Sequence, residues 1–250
     1  MQAKHFGKCG NMGSQLELNA KDIITGLDNL NQRFSGKKIL LTGAAGFLGC
    51  QFMHYFKVLN ESAILNTPCH LFAWDNFLRG IPDWLAEFDG SLGISMEKKD
   101  IINDIDYPKP DFIIHAASIA SPLYYRKYPI ETIDANVTGL RNLLDFSKEN
   151  HIESFLFFST SEIYGDPDPA YIPTNEDYRG NVSCTGSRAC YDESKRFGET
   201  LCVNYWQIHN VPVKIARPFN NYGPGLKITD KRVIPDFFRD VINNRDIRSE

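Results

Sequence analysis

An α/β fold is predicted for this chain: a doubly wound parallel sheet with helices on both faces. Three observations predict it. From Lys37 onward, short apolar runs alternate with longer helical stretches. The first apolar run closes directly on a glycine-rich turn. Across 250 residues, 42 % are hydrophobic, enough to bury a full-sized core.

Residues 1–34 read as an N-terminal extension carrying one amphipathic helix around Leu16–Leu30. Asn19, Lys21 and Asp22 stand where a secretory leader needs an apolar stretch. Lys38–Thr42 is a short apolar run that suits a buried parallel strand, and Phe47–Leu59 follows it as a helix. His70–Trp74 is a second strand ending at Asp75, and Gly93–Lys99 a third. Asp111–His115 is the fourth, followed by a long helix over Pro129–Asn150. Phe155–Phe158 is the fifth strand, Tyr191–His209 another helix, and Val211–Ala216 the sixth strand. Residues 77–92 and 166–189 are rich in Gly, Pro, Asp and Asn and read as loops. The second leaves the carboxyl end of a strand, where ligands of such sheets sit.

Composition excludes several function classes. A net charge of −4 provides no footprint for nucleic acid or an anionic membrane. No apolar run approaches the ~20 residues of a membrane span. The six cysteines are scattered without a C-x-x-C pair, which predicts reduced thiols in a cytoplasmic protein and no metal site.

Gly43-Ala-Ala-Gly46-Phe-Leu-Gly49 follows the first strand and opens the first helix. Glycine lets backbone N–H groups approach a pyrophosphate, and the helix N-terminus adds a favourable dipole. The spacing is G-x-x-G-x-x-G rather than the G-x-G-x-x-G fingerprint, so the position after a strand carries the reading. Asp75, at the end of the second strand, is placed to accept hydrogen bonds from both hydroxyls of an adenosine ribose and to repel a 2′-phosphate. The sequence thus predicts NAD rather than NADP, and Arg79 nearby is the reason to test NADP. The alternative for Asp75 is a turn cap with Asn76.

Tyr191 and Lys195 stand four apart, on one face of a helix. A phenol of pKa near 10 is a poor base at neutral pH, and a neighbouring ammonium favours the phenolate. The pair is therefore a candidate proton acceptor for oxidation of a sugar hydroxyl. The fifth strand leads into Ser159-Thr160-Ser161-Glu162, where Thr160 is placed to hydrogen-bond the reacting hydroxyl and Glu162 to act beside it. The alternative for Glu162 is a turn residue.

Together these residues resemble the extended short-chain dehydrogenase/reductase superfamily over about Lys37–Arg245. The motifs are the glycine turn, Asp100-Ile101, His115-Ala-Ala-Ser118, Asn136-Val-Thr-Gly139, Tyr191/Lys195 and Arg217-Pro-Phe-Asn-Asn-Tyr-Gly-Pro224. Three segments are most similar to UDP-glucuronic acid decarboxylases: Ser118–Tyr124, Ser159–Pro167 and Arg188–Arg196. The resemblance implies a Rossmann-type NAD-binding domain over 35–218 and the start of a substrate lobe, apparently truncated, over 219–250. It implies NAD contacts from Gly43, Gly46, Phe47, Leu48, Gly49, Asp75, Asn76, Asp100, Ile101, Ala116, Ala117, Ser118 and Lys195. It implies a nucleotide-sugar substrate, UDP-linked, held by Ser121, Glu162, Arg188, Asn220 and Arg232. Thr160, Glu162, Tyr191 and Lys195 would carry the chemistry, and a homodimer would pair the two long helices.

The implied reaction is internal redox at the sugar C4, with loss of CO₂ when C6 is a carboxylate. The rival is a 4,6-dehydratase, but those enzymes carry Thr-Asp-Glu where this chain has Thr160-Ser161-Glu162; a 4-epimerase is a further alternative. From a different class, a dinucleotide-binding module without turnover also stays open, as does completion by a partner subunit. The decarboxylases carry an arginine where Gly225 follows Pro224, so carboxylate recognition is expected to pass to Arg188 or Lys227.

Overall fold

The computed structural model describes residues 12–103, 106–230 and 232–247. The part of the N-terminal extension before Met12 lies outside these residues.

The sheet has six strands: β1 (Lys38–Thr42), β2 (His70–Asp75), β3 (Ile94–Lys98), β4 (Phe112–His115), β5 (Ser154–Phe158) and β6 (Val213–Ala216). Their spatial order is β3-β2-β1-β4-β5-β6, and every pairing is parallel. The order reverses between β1 and β4, which opens a crevice at their carboxyl ends.

Strand pleating divides the core into two layers. Ile39 and Leu41 of β1 join one cluster with Met53, Phe56 and Leu59 of α2 (Phe47–Glu61). Leu40, pointing the other way, joins the opposite cluster with Leu140, Leu143, Leu144, Phe155 and Phe157. The three leucines lie on α5 (Leu140–Asn150) and are fully buried against the sheet, so they are not free to form a subunit contact. α6 (Ala189–His209) covers the same side through Cys202.

The extension is packed, not loose. α1 (Met12–Leu27) buries Leu16, Ala20 and Ile24, and the last two belong to the α2-side cluster. A 3₁₀ turn over Asp28–Phe34 continues it. There Asn31 Nδ2 donates to the carbonyls of Ile24 and Asp28 at 2.8 and 2.7 Å. Tyr55 Oη donates to Asn31 Oδ1 at 2.8 Å, which ties the turn to α2.

Two elements differ from the sequence reading. The long helix over Pro129–Asn150 is interrupted: α4 (Pro129–Asp134) passes through a π-turn at Ala135–Gly139 before α5. Gly139 meets Ile101 at the turn, where an added Cβ would lie 2.6 Å from the isoleucine side chain. A short α3 (Pro122–Lys127) precedes α4, begun by Pro122 after Ser121. α7 (Val233–Ile242) lies at the carboxyl side of the described residues.

If α1 is integral, Leu16→Ala should destabilise the fold by about 2–5 kcal/mol in urea unfolding. An unchanged midpoint would make α1 an appendage.

Candidate active site

The crevice is built on a turn that tolerates no side chain. Gly43 leaves β1 at φ +75°, and its N–H donates to the Trp74 carbonyl at 2.8 Å. A Cβ on Gly43 would lie 2.6 Å from the Ala117 nitrogen. A Cβ on Gly49 would lie 2.2 Å from the Gly43 carbonyl oxygen. Gly46 then caps α2 without a side-chain acceptor, so the first-turn N–H groups remain available to an anion.

Asp75 closes β2 beside this turn. Its Oδ2 accepts from the Ala45 N–H at 3.0 Å and its Oδ1 from the Phe77 N–H at 2.8 Å. The bond to Phe77 makes it a turn cap, while that to Ala45 locks it to the glycine turn. Burial raises its pKa, and the two backbone bonds oppose that. Asn76 Nδ2 donates to Asp100 Oδ2 at 3.0 Å, and Ile101 is buried behind it.

Two adjoining chambers follow. The first is lined by Asp75, Asn76, Asp100, Ile101 and Ala117 among others. The second is lined by Leu48, Gly49, Ser121, Thr160, Glu162, Arg188, Tyr191, Lys195, Asn220 and Arg232. Gly43, Gly46, Phe47, Ala116 and Ser118 line both. The structure thus gathers the whole sequence-predicted set around one cleft. Of the two cations expected to take over carboxylate recognition, Arg188 lines the second chamber and Lys227 the first.

Tyr191 and Lys195 are buried on α6. Burial pushes the Tyr191 phenol up to about 12; hydrogen bonding with Thr160 pulls it down, and Glu162 and Asp192 push it further up. Burial pushes the Lys195 ammonium down to about 7. Its Nζ donates to the Phe158 carbonyl at 2.6 Å and sits 4.9 Å from the centre of the Phe157 ring. Spacing places Lys195 one turn from Tyr191, and its ammonium turns to the Phe158 carbonyl. An ammonium packed over the Phe157 ring takes the backbone acceptor within reach.

Glu162 is likewise committed. Arg188 pairs with it and also stands 3.4 Å from Asp192. Thr160 Oγ1 accepts from the Glu162 N–H at 3.3 Å, which fixes the turn after β5.

Sequence reasoning missed Tyr125 and Asp230. Tyr125 stacks on Tyr191 with ring centres 5.4 Å apart and planes 12° from parallel. Its buried hydroxyl has no hydrogen-bond partner among the described residues, and the residue lines the second chamber. The Ser121-Pro122 helix start was the available signal. Asp230 lines the first chamber from the segment after β6, and no motif marked it.

The fold and cleft define a dinucleotide-binding α/β protein with acid–base groups at the switch point of its sheet. Residues 39–249 match the NAD dependent epimerase/dehydratase family, and the chain belongs to that family. It is 36 % identical over 214 residues to UDP-glucuronic acid decarboxylase 6 of Arabidopsis thaliana, covering 85 % of this chain and 59 % of the relative. It is 37 % identical over 201 residues to UDP-glucuronic acid decarboxylase 1 of Danio rerio, covering 80 % and 45 %. The chain therefore spans 59 % and 45 % of the length of these two relatives. Among solved structures, it is similar in fold to UDP-glucuronic acid 4-epimerase from Bacillus cereus in complex with NAD, with TM-score 0.66 and 23 % identity over 84 % of this chain and 64 % of that one. It is also similar to dTDP-glucose 4,6-dehydratase from Bacillus anthracis in complex with NAD, with TM-score 0.67 and 22 % identity over 84 % and 63 %.

Two outcomes are expected here. Gly49→Ala should abolish NAD binding in a fluorescence titration, since the new methyl meets backbone that cannot move aside; retained affinity would mean the turn relaxes. His115 is fully buried beneath the site, and burial with Lys195 nearby pushes its pKa from 6.5 down to about 3. The unfolded chain binds that proton first, so stability should fall as pH drops from 6.5 toward 3. His115→Asn should flatten this acid limb in a thermal-unfolding series, and an unchanged limb would place the sensitivity elsewhere.

Proposed function

We propose that the chain carries the NAD-binding and acid–base half of a nucleotide-sugar enzyme that oxidises the sugar at C4, and that UDP-glucuronate is its substrate. The observation that carries the reading is the convergence of Thr160, Glu162, Arg188, Tyr191 and Lys195 on one chamber that adjoins the glycine turn. The 36 % identity to a UDP-glucuronic acid decarboxylase supports UDP-glucuronate as that substrate.

The glycine cradle and the uncapped start of α2 suit the pyrophosphate of NAD. Asp75 suits its adenosine ribose, and the buried, unpartnered Ser118 hydroxyl offers a further bond inside the cleft. Bound NAD supplies a hydride acceptor and a positive charge.

The remaining work belongs to side chains. A phenol held near 12 keeps its proton at neutral pH, so Tyr191 becomes a base only when positive charge enters the chamber. Thr160, already hydrogen-bonded to Tyr191, takes the neighbouring position on the C4 hydroxyl. After oxidation, a C6 carboxylate stands β to the C4 ketone. Its CO₂ leaves with the bonding electrons passing into the ketone, whose oxygen Tyr191 and Thr160 then stabilise. Arg188, held by Glu162 and Asp192, lies where it can meet the C6 carboxylate. Ser161 replaces the acid that a dehydratase requires to expel a C6 hydroxyl.

We also propose a homodimer that uses the exposed apolar side chains Ile130 and Ile133 of α4 with Phe197 and Val203 of α6.

With NAD and UDP-glucuronate, mass spectrometry should show loss of CO₂. Tyr191→Phe should lower the rate by at least about 10²-fold, as expected for loss of an acid–base group. Loss of water from a hexose nucleotide would favour the dehydratase reading. NAD binding without any product would favour a binding module.

A further inference from the structure

One residue outside the reacting groups joins its own segment to two other loops. Asp230, between β6 and α7, is 3 % exposed. Its Oδ2 accepts from Arg79 Nη2 at 3.2 Å, and its Oδ1 accepts from Arg232 Nε at 2.5 Å. Ser121 Oγ, at the start of α3, donates to the Asp230 backbone carbonyl at 3.4 Å. Arg79 comes from the loop after β2, and its guanidinium lies 4.7 Å from the centre of the Tyr124 ring.

The location of this cluster matters. Arg79 lines both chambers, Asp230 the first and Arg232 the second. The same segment crosses the start of α2. Gln51 Nε2 donates to the Pro224 carbonyl at 2.8 Å, and Gly225 adjoins Cys50 and Phe47. The segment from Pro224 to Asp230 therefore runs beside the first turn of α2 and lines the first chamber. It is fixed at one end by Gln51 and at the other by buried Asp230 paired with the half-buried Arg79. A buried carboxylate flanked by two guanidinium groups is stable only while a cation stays with it, so the crossing is held shut electrostatically.

We propose that Asp230 is a positioning residue: through Arg79 it fastens this segment across the mouth of the dinucleotide cleft, and NAD is released only when the Arg79–Asp230 pair opens. The inference rests on NAD occupying the first chamber. It does not depend on which sugar is transformed.

The test uses the NAD-loaded protein and measures the NAD dissociation rate by chasing labelled NAD with excess unlabelled NAD. Arg79→Gln and Asp230→Asn should each speed release by about tenfold, because one partner of a hydrogen-bonded charge pair is lost. The double variant should release no faster than the faster single variant, since both substitutions break one latch. Arg79→Lys should restore part of the retention, which a general loss of packing would not. Arg79→Gln leaves the Asp230–Arg232 pair in place, so it decides the question if Asp230→Asn fails to fold. Release within about twofold of the parent rate in Arg79→Gln, or additive effects in the double variant, would overturn the proposal. A parent chain that retains no NAD would overturn it together with the cofactor reading, and the parent measurement shows this separately.

Discussion

The close approach between the β1–α2 turn and the end of β4 is the contact on which the site depends. Gly43 permits it, because any side chain there would collide with the backbone of Ala116 and Ala117. That approach aligns the carboxyl ends of β1 and β4 at the point where strand order reverses. It directs the free N–H groups of α2 into the crevice, and Asp75 locks to the turn through Ala45. The two chambers share this turn as a common wall. A change at Gly43 or Gly49 therefore disturbs the cofactor and sugar sides together.

Burial sets the electrostatics of the second chamber. Tyr191 and Lys195 are both driven toward their neutral forms, the phenol up to about 12 and the ammonium down to about 7. The phenol keeps its proton at neutral pH, whereas the amine stands close to its titration point. The chamber is thus arranged so that positive charge arriving with a ligand shifts the proton equilibrium of Tyr191. Arg188, shared between Glu162 and Asp192, carries a charge that two carboxylates compensate. On the proposed reaction, a sugar carboxylate would compete with Glu162 for it, so that recognition would be an exchange of partners.

Much of the fold is legible in the chain because apolar runs and glycine turns are local signals. All six strands stand where β-type runs alternate with helices, and ends differ by a residue or two. The glycine turn, Asp75 and the Tyr191/Lys195 spacing mark the cleft through residue type and position alone. The π-turn is hidden from a periodicity reading, and the close packing of Gly139 on Ile101, 38 positions earlier in the chain, is a tertiary contact that no local pattern marks. The orientation of Lys195 is hidden for a similar reason. Spacing places it one turn from Tyr191, but the Phe158 carbonyl and the Phe157 ring decide where its ammonium points. Asp230 gives no signal because a lone aspartate in a loop has no pattern, and its partners come from residues 79 and 121 as well as 232.

On the proposed reaction, the sugar is oxidised and reduced at C4 within one catalytic cycle. The most direct measurement follows deuterium placed at C4 of UDP-glucuronate through turnover in ordinary water, with reduced nicotinamide monitored optically. The account predicts transient nicotinamide reduction, together with product that retains deuterium at C4. Product formed without a reduced nicotinamide signal, or with deuterium washed out, would contradict it.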